Sequence, residues 1–436
     1  MSFLIKETAK YILRDNFITE ARVSKLLQRE SLDFEEHHRI IRSKLLATLV
    51  AAQKLPAYEY LSKFKLTEDN VIEVLAEIPI VSKADLVEKR QDYYPMKRIW
   101  YASGVTSGST GSPLDVYRSL DSIVWENAFV KRHWRWFGFK DGMPRAVLRG
   151  DIVVPLEQSK PPFWRHNRLN NQLILSSRHL KPNFAPSMIE QLKNFSPYML
   201  QAYPSSAYIL AQYVRDLGME IKIPFVFTSS EVLYSFQRDL IQEYLGSTVI
   251  DLYGMAERIA FASECEHGYL HVDPDYSYVE IVDKDGVATN DYGAVVGTAL
   301  NNLAMPLVRY KLTDITRWIS GSCLCGRTSR RIEPVQGRIS DQIFDSHGNA
   351  VSTSLLTFIF KDPKFIREAQ VAQIDCGFWQ LRIVPYPGFD QAVIEHLKSN
   401  VAKHIDKNLE VDVICVEEIA RTKAGKFKWI VNEIKG

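Results

Sequence analysis

The sequence predicts an α/β protein with a large multi-sheet N-terminal body followed by a small α+β C-terminal domain. Three observations carry this. Residues 100 to 335 alternate short runs of β-branched residues with helix-patterned stretches, as a largely parallel sheet covered by helices requires. The last hundred residues repeat a βαβ theme on a smaller scale. The composition, 46% hydrophobic and 24% charged over 436 residues, is that of an ordinary folded chain, long enough for roughly three domains or one large domain with an appendage.

Residues 1 to 95 read as a helical cap, with apolar positions at helical spacing in HHRIIRSKLLATLVAAQKL and a helix over Asn70 to Ala76 that Pro79 ends. Strands and helices then follow in turn: PRAVLRGDIVVP, SMIEQLKNF, YMLQAYP, SAYILAQYVRDLG, IPFVFTSSEVL, SFQRDLIQEYLG and STVIDLYG. The runs YVEIVD, GTALNN and PLVRYKLTDITRW look antiparallel. In the C-terminal part, strand-like REAQVAQID and WQLRIVPY precede the helix DQAVIEHLKSNVAKHI, the strand EVDVICVEEI and the basic tail RTKAGKFKW. Gly337 to Asp341 separates the two textures, giving a body of 1–339 and a small domain of 340–436. No internal repeat or low-complexity tract interrupts this order.

Several classes are excluded early. Fifty-four basic against 52 acidic residues leave a net charge of +2, too little to draw the chain to nucleic acid. No apolar run approaches the roughly 18 residues of a membrane span, and the N-terminal stretch has acidic residues and no apolar core, so a cytoplasmic protein is expected. Five cysteines are too few and too odd in number for a disulfide framework. Cys376 and Cys415 are expected as small buried side chains.

The sharpest local signal is SGVTSGSTGSP, Ser103 to Pro113. Gly104, Gly108 and Gly111 permit backbone conformations that turn consecutive N–H groups toward an anion, and Thr106, Ser107, Ser109, Thr110 and Ser112 add hydroxyls. A polyphosphate suits such a loop, and a flexible surface loop is the alternative. It is not a Walker A loop, because no Gly-Lys-Ser/Thr closes it. Its ending, Gly111-Ser112-Pro113, resembles the phosphate-binding signature of the adenylate-forming superfamily of acyl-CoA synthetases, adenylation domains and luciferases. Many members carry Lys or Arg where Ser112 stands.

Further segments resemble that superfamily in the same order. VIDLYGMAE matches its Tyr-Gly-x-x-Glu motif, which implies that Tyr253 stacks on adenine, that Gly254 follows it in the pocket and that Glu257 reaches Mg²⁺, a hard cation that takes oxygen ligands. FTSSEVL implies that Ser230 and Glu231 line the adenine pocket. RYKLTDITRW puts Asp314 where relatives bind both ribose hydroxyls, with Thr313 replacing the usual glycine. GRISD implies Arg338 near ribose and phosphate and Ser340 at the hinge of a mobile lid. RTKAGK resembles the Arg-Thr-x-x-Gly-Lys tail and makes Lys426 the catalytic lysine, its charge set on the transferring centre. Within the superfamily, IPIVSKADL (Ile78 to Leu86), AYPSS (Ala202 to Ser206) and CLCGR look closest to the phenylacetate-CoA ligase and CapK-like branch.

Cys265 and His271 in CEHGYLH, with Cys323 and Cys325 in CLCGR, offer three thiolates and an imidazole, enough for a closed structural zinc site. His267 is the rival imidazole. A second cluster, Trp125, Trp134, Trp136, Phe137 and Phe163 with Arg132, Arg135, Arg145, Arg149 and Arg165, is a candidate aromatic-lined acid pocket or, alternatively, core plus solvated rim.

The resemblance implies an ATP- and Mg²⁺-dependent ligase. A carboxylic acid, with aromatic acids among the candidates, is activated as an acyl-adenylate with release of pyrophosphate. The acyl group then passes to an acceptor, foremost the thiol of coenzyme A. The alternative is a CapK-like ligase forming amides or esters in polysaccharide or natural-product synthesis. A non-catalytic nucleotide-binding protein is disfavoured by the presence of both Glu257 and Lys426. The acid, the acceptor and the oligomeric state are set by features these motifs do not encode.

Overall fold

The computed structural model describes residues 8, 11–95, 102–105, 114–335, 343–349, 351, 353–356, 359–360, 365–422 and 425–434. Contacts divide the chain into two units, one of residues 1–143, 167–170 and 250–335 and the other of 144–166, 171–249 and 336–436. Mixed α/β structure with several sheets is as the sequence predicts.

In the first unit the N-terminal helices form where their caps are written. Asn16 accepts the N–H of Thr19 and starts the helix Phe17–Arg29, and Asp33 accepts that of Glu36 and starts Phe34–Ala52. Leu45, Leu49 and Ala52 recur on one face of the second helix and bury against Tyr58, Leu61, Val71, Leu75 and Val308. The predicted helix near residue 70 spans Val71–Glu77. In the stretch Ile78 to Leu86, Ser82 and Asp85 form a capping box on the helix Lys83–Glu88, and Val81 N donates to Arg309 O at 3.0 Å. The helix Leu120–Trp136 packs on Phe17–Arg29 through Phe129, Val23 and Leu26.

Two larger sheets and the pair Ala102–Val105 and Asp115–Arg118 complete the described part of this unit. Ser277–Val282, Gly293–Ala299 and Tyr310–Thr316 make the expected antiparallel sheet. A β-carbon on Gly297 would lie 2.0 Å from the Ile259 carbonyl oxygen, so only glycine lets the chain leaving the Tyr253–Glu257 turn cross this strand. The second sheet runs from the end of Thr248–Gly254 through Phe261–Glu264, Leu270–Val272, Arg331–Ile332 and Trp318–Ile319, each antiparallel to the next. These last four are two to four residues long, too short to leave a period in the sequence.

In the second unit Phe225–Ser229, Met199–Ala202, Arg145–Arg149 and Gln172–Ser176 lie side by side and parallel. The helices Ala185–Phe195, Pro204–Asp216 and Ser235–Leu245 cover them, burying Leu192, Leu210, Val214 and Leu245, each contributing roughly 1.5–3 kcal/mol. The C-terminal part of the unit is a four-stranded sheet. Ile366–Asp375 and Phe378–Pro385 form an antiparallel hairpin, Glu410–Cys415 runs parallel to the second of them after the helix Gln391–His404, and Ile430–Asn432 runs parallel to the first. Trp379, Leu381, Leu397 and Val401 fill its core.

One expectation fails here. Cys376 and Cys415 are exposed. Cys376 sits in the turn of the hairpin and Cys415 at the last position of an edge strand, where the flanking apolar residues do not bury it. Among the described residues no helix is long and apolar enough to cross a membrane.

Candidate active site and metal cluster

In the first unit, the strand Thr248–Gly254 delivers Tyr253 and the turn after it delivers Glu257, both half-buried. Tyr253 donates its hydroxyl proton to Asp314 Oδ2 at 2.8 Å, so two motif residues 61 positions apart meet directly. Asp314 owes its direction to a bulge. Ala294 pairs with Ile315 and Val296 with Lys311, so two steps on one strand face four on the other and the extra residues push outward. Arg118 donates to the Ala256 carbonyl at 2.6 Å and ties the hairpin of Ala102–Val105 and Asp115–Arg118 to the Glu257 turn. Burial lowers the Arg118 pKa, with the Arg258 charge next; Glu126, Tyr276 and Glu257 oppose.

In the second unit the C-terminal motif folds as its residue types dictate. Gly425 adopts φ +76° with its N–H on the Thr422 carbonyl, and Thr422 Oγ accepts the Lys426 N–H at 3.0 Å. A β-carbon at Gly425 would also approach Gly150 Cα to 2.9 Å. The turn aims Lys426, whose Nζ donates to the Ser230 carbonyl at 3.1 Å. Ser230 itself has φ +74°, an uncommon conformation for a residue with a side chain, and its hydroxyl accepts from Arg149 Nη2 at 3.0 Å. Lys426 Nζ and the Arg149 guanidinium lie 6.0 and 5.1 Å from the centre of the Tyr203 ring. The Glu231 carboxylate accepts the N–H groups of Ser205 at 3.1 Å and Phe427 at 2.9 Å.

Thr106, Ser107, Gly108, Ser109, Thr110 and Gly111 of the glycine-rich loop, together with Arg338 and Ser340, lie outside the described residues.

The four metal-ligand candidates come together. Cys265 and His271 flank the turn of the hairpin Phe261–Glu264 and Leu270–Val272, which reverses through Gly268, while Cys323 and Cys325 sit in the loop between Trp318–Ile319 and Arg331–Ile332. Their donor atoms all lie within 4.8 Å of one another. The Cys265 and Cys323 sulfurs are 3.8 Å apart and Cys325 Sγ is 3.3 Å from His271 Nε2. Zn–S bonds of about 2.3 Å set about 3.8 Å for the edge of a tetrahedron. His271 Nδ1 faces the carbonyl and the hydroxyl of Ser329, both at 3.2 Å, which favours a proton on Nδ1 and leaves the Nε2 lone pair toward the sulfurs. Burial pushes the His271 imidazole down to about 4, the neutral form a metal takes, and pushes the Cys265 thiol up to about 11, so that thiol stays protonated at neutral pH unless a cation displaces the proton. His267 is exposed and stands outside the cluster.

The aromatic and arginine cluster is divided between the units. Phe163, Arg145, Arg149 and Arg165 belong to the second unit. In the first, Arg132 pairs with Asp273 at 2.7 Å and Arg135 with Glu20 at 2.7 Å, and Trp136 donates to Glu30 at 2.8 Å, so these side chains tie the helix Leu120–Trp136 to Phe17–Arg29 and to the residue after Leu270–Val272. Sequence reasoning gave no role to Ser205 and Tyr203 around Ser230 and Lys426, or to Ser329 behind His271, and set Arg149 in the candidate acid pocket rather than on Ser230. Of the first three, AYPSS, noted above as a branch marker, contains two.

Comparison with known proteins finds relatives of the kind the motifs resemble. Residues 343–433 match the CapK C-terminal domain. Protein CapK of Staphylococcus aureus is 24% identical over 418 residues, covering 94% of this chain and 90% of that one. The phenylacetate-coenzyme A ligase of Thermus thermophilus is 28% identical over 316 residues, 69% of each chain. The chain is thus similar to CapK over nearly its whole length and to phenylacetate-CoA ligases over about two thirds of it. The fold agrees: a crystal structure of 2-hydroxyisobutyryl-CoA ligase in complex with 2-HIB-AMP aligns over 93% of this chain and 92% of that one, with a TM-score of 0.73 at 20% identity.

Proposed function

We propose that the chain is an AMP-forming acid ligase. It activates a carboxylic acid with ATP as an acyl-adenylate, releases pyrophosphate and passes the acyl group to the thiol of coenzyme A. The observation that carries this reading is the seat of Lys426 on the Ser230 turn, two motif segments 196 residues apart in sequence. In the first half-reaction the carboxylate oxygen attacks the α-phosphorus and the bond to pyrophosphate breaks. Lys426 places its ammonium by the oxygens that carry charge as these atoms meet, an effect worth roughly 10²–10³ in rate for a comparable donor. Asp314 accepts from the ribose diol and Tyr253, oriented by its bond to Asp314, offers its ring to adenine. Gly254, Ser230 and Glu231 border the base, the loop Thr106 to Gly111 and Arg338 take the phosphates and ribose, and Ser340 is the hinge of a small domain spanning 340–436. Glu257 is the oxygen ligand for Mg²⁺, which would neutralise phosphate charge.

Cys265, His271, Cys323 and Cys325 hold a structural zinc that pins two loops and takes no part in the chemistry. Five free cysteines and an ATP-consuming reaction fit a cytoplasmic enzyme. A second reading, with an amine or hydroxyl as acceptor, is favoured by the CapK C-terminal domain over residues 343–433. Pyrophosphate release from ATP across a panel of carboxylic acids tests the first half-reaction. Adding coenzyme A tests the second: acyl-CoA forms under the main reading, and the acyl-adenylate persists until an amine or hydroxyl compound is supplied under the other.

A further inference from the structure

Glu231 makes contacts that a nucleotide pocket does not require. Its residue is half-buried, and both carboxylate oxygens are taken by backbone N–H groups. One belongs to Ser205, the second residue of the helix Pro204–Asp216, where an N–H has no partner within the helix. The other belongs to Phe427, the neighbour of Lys426. Two residues further on, Trp429 inserts between Tyr234 at 4.2 Å, Phe236 at 5.3 Å and Phe360 at 5.6 Å. The lysine-bearing segment is thus held by an aromatic contact on one side of Lys426 and by the turn Thr422–Gly425 on the other, with the Glu231 carboxylate between them. The carboxylate serves both N–H groups at once, one on each oxygen. Packing raises the Glu231 carboxyl pKa, while Ser205, Phe427 and the Lys426 charge oppose that rise.

We infer that Glu231 is a positioning residue for Lys426: by bridging the N–H groups of Phe427 and Ser205 it fixes the segment that carries the ammonium against the Ser230 turn. This rests on the reading of Lys426 as the residue that acts in acyl-adenylate formation. The consequence is a division of labour within the Ser230–Glu231 pair, in which Ser230 meets the ammonium through its carbonyl and Glu231 sets where that ammonium can reach.

The test uses the full chain and Glu231→Gln, which keeps the shape but turns one oxygen into an NH₂ facing an N–H. Acetylation of Lys426 by acetic anhydride, read by peptide mass spectrometry, and deuterium exchange at the Phe427 amide are compared with wild type. Loss of one charge-assisted hydrogen bond predicts at least about tenfold faster labelling and exchange. With any acid that supports pyrophosphate release, kcat falls about tenfold or more while KM for ATP stays within about threefold, a split that loss of a nucleotide contact would reverse. Unchanged labelling and exchange would overturn the inference. Should Glu231→Gln fail to fold, Glu231→Asp, one methylene shorter, is read by the same two measurements. If wild type releases no pyrophosphate with any acid, the ligase reading fails, yet the labelling and exchange still decide what Glu231 holds.

Discussion

Asp314 and Tyr253 show how much a single residue's role depends on its neighbour. The carboxylate accepts from the tyrosine hydroxyl, and in the proposed function it also serves the ribose diol, so removing it is expected both to delete a ligand contact and to free the ring. Asp314→Ala is expected to raise KM for ATP roughly 10- to 100-fold, the range for a hydrogen bond to a charged group. Isothermal titration with ATP checks this. His133 carries a different prediction. It is fully buried, its Nε2 donates to the Glu264 carbonyl at 2.8 Å, and burial pushes its pKa down to about 3. An unfolded histidine titrates near 6.5. The folded form therefore binds fewer protons between those values, and stability present above pH 6.5 is lost as pH falls toward 3. Going from pH 7 to pH 5 costs about 2 kcal/mol from this residue alone. Denaturant unfolding at the two pH values is expected to show a smaller loss for His133→Gln than for wild type. Residue types carried most of the site: the Tyr-Gly-x-x-Glu, Asp314 and Lys426 motifs stand out without a structure because each needs a specific side chain. Their contacts were not legible. The Tyr253–Asp314 bond depends on a bulge in strand pairing, and the seats of Ser205 and Ser329 depend on backbone groups from distant segments.

At the scale of the element, the helices were readable because each is long enough to show its period, with a written cap at Asn16 and Asp33, and the central parallel strands because they are apolar runs set between helix-patterned stretches. The short strands around the four candidate ligands were not, since two to four residues define no period; in the proposed function a zinc between the loops Cys265–His271 and Cys323–Cys325 pins them instead. Removing that pin has a predicted effect. The full chain should contain about one zinc by elemental analysis, and Cys323→Ser should lose it together with several degrees of thermal stability. Full stability in a zinc-free protein would argue against the metal. Gly297 tests the other device that shapes this unit. With a β-carbon 2.0 Å from the Ile259 oxygen, Gly297→Ala forces backbone apart and is expected to cost on the order of 3 kcal/mol or more, seen as a lowered denaturation midpoint. The exposed Cys376 and Cys415 mark the limit of local reading: apolar neighbours in sequence do not say which end of a strand meets solvent.

For the whole molecule, similarity to protein CapK and to the fold of 2-hydroxyisobutyryl-CoA ligase extends over nearly the full chain. Charge said least: a net +2 argues against one class of partner and says nothing of the nucleotide site proposed for this chain. Specificity for the acid lies in pocket shape, which motif order does not encode. The most direct test of the central claim is pyrophosphate release from ATP by wild type and by Lys426→Ala over a panel of carboxylic acids. Release with at least one acid, reduced about 100-fold or more in the variant while ATP still binds, is the expected result. Release at the wild-type rate in Lys426→Ala, or no acid-dependent release by an ATP-binding wild type, would contradict it.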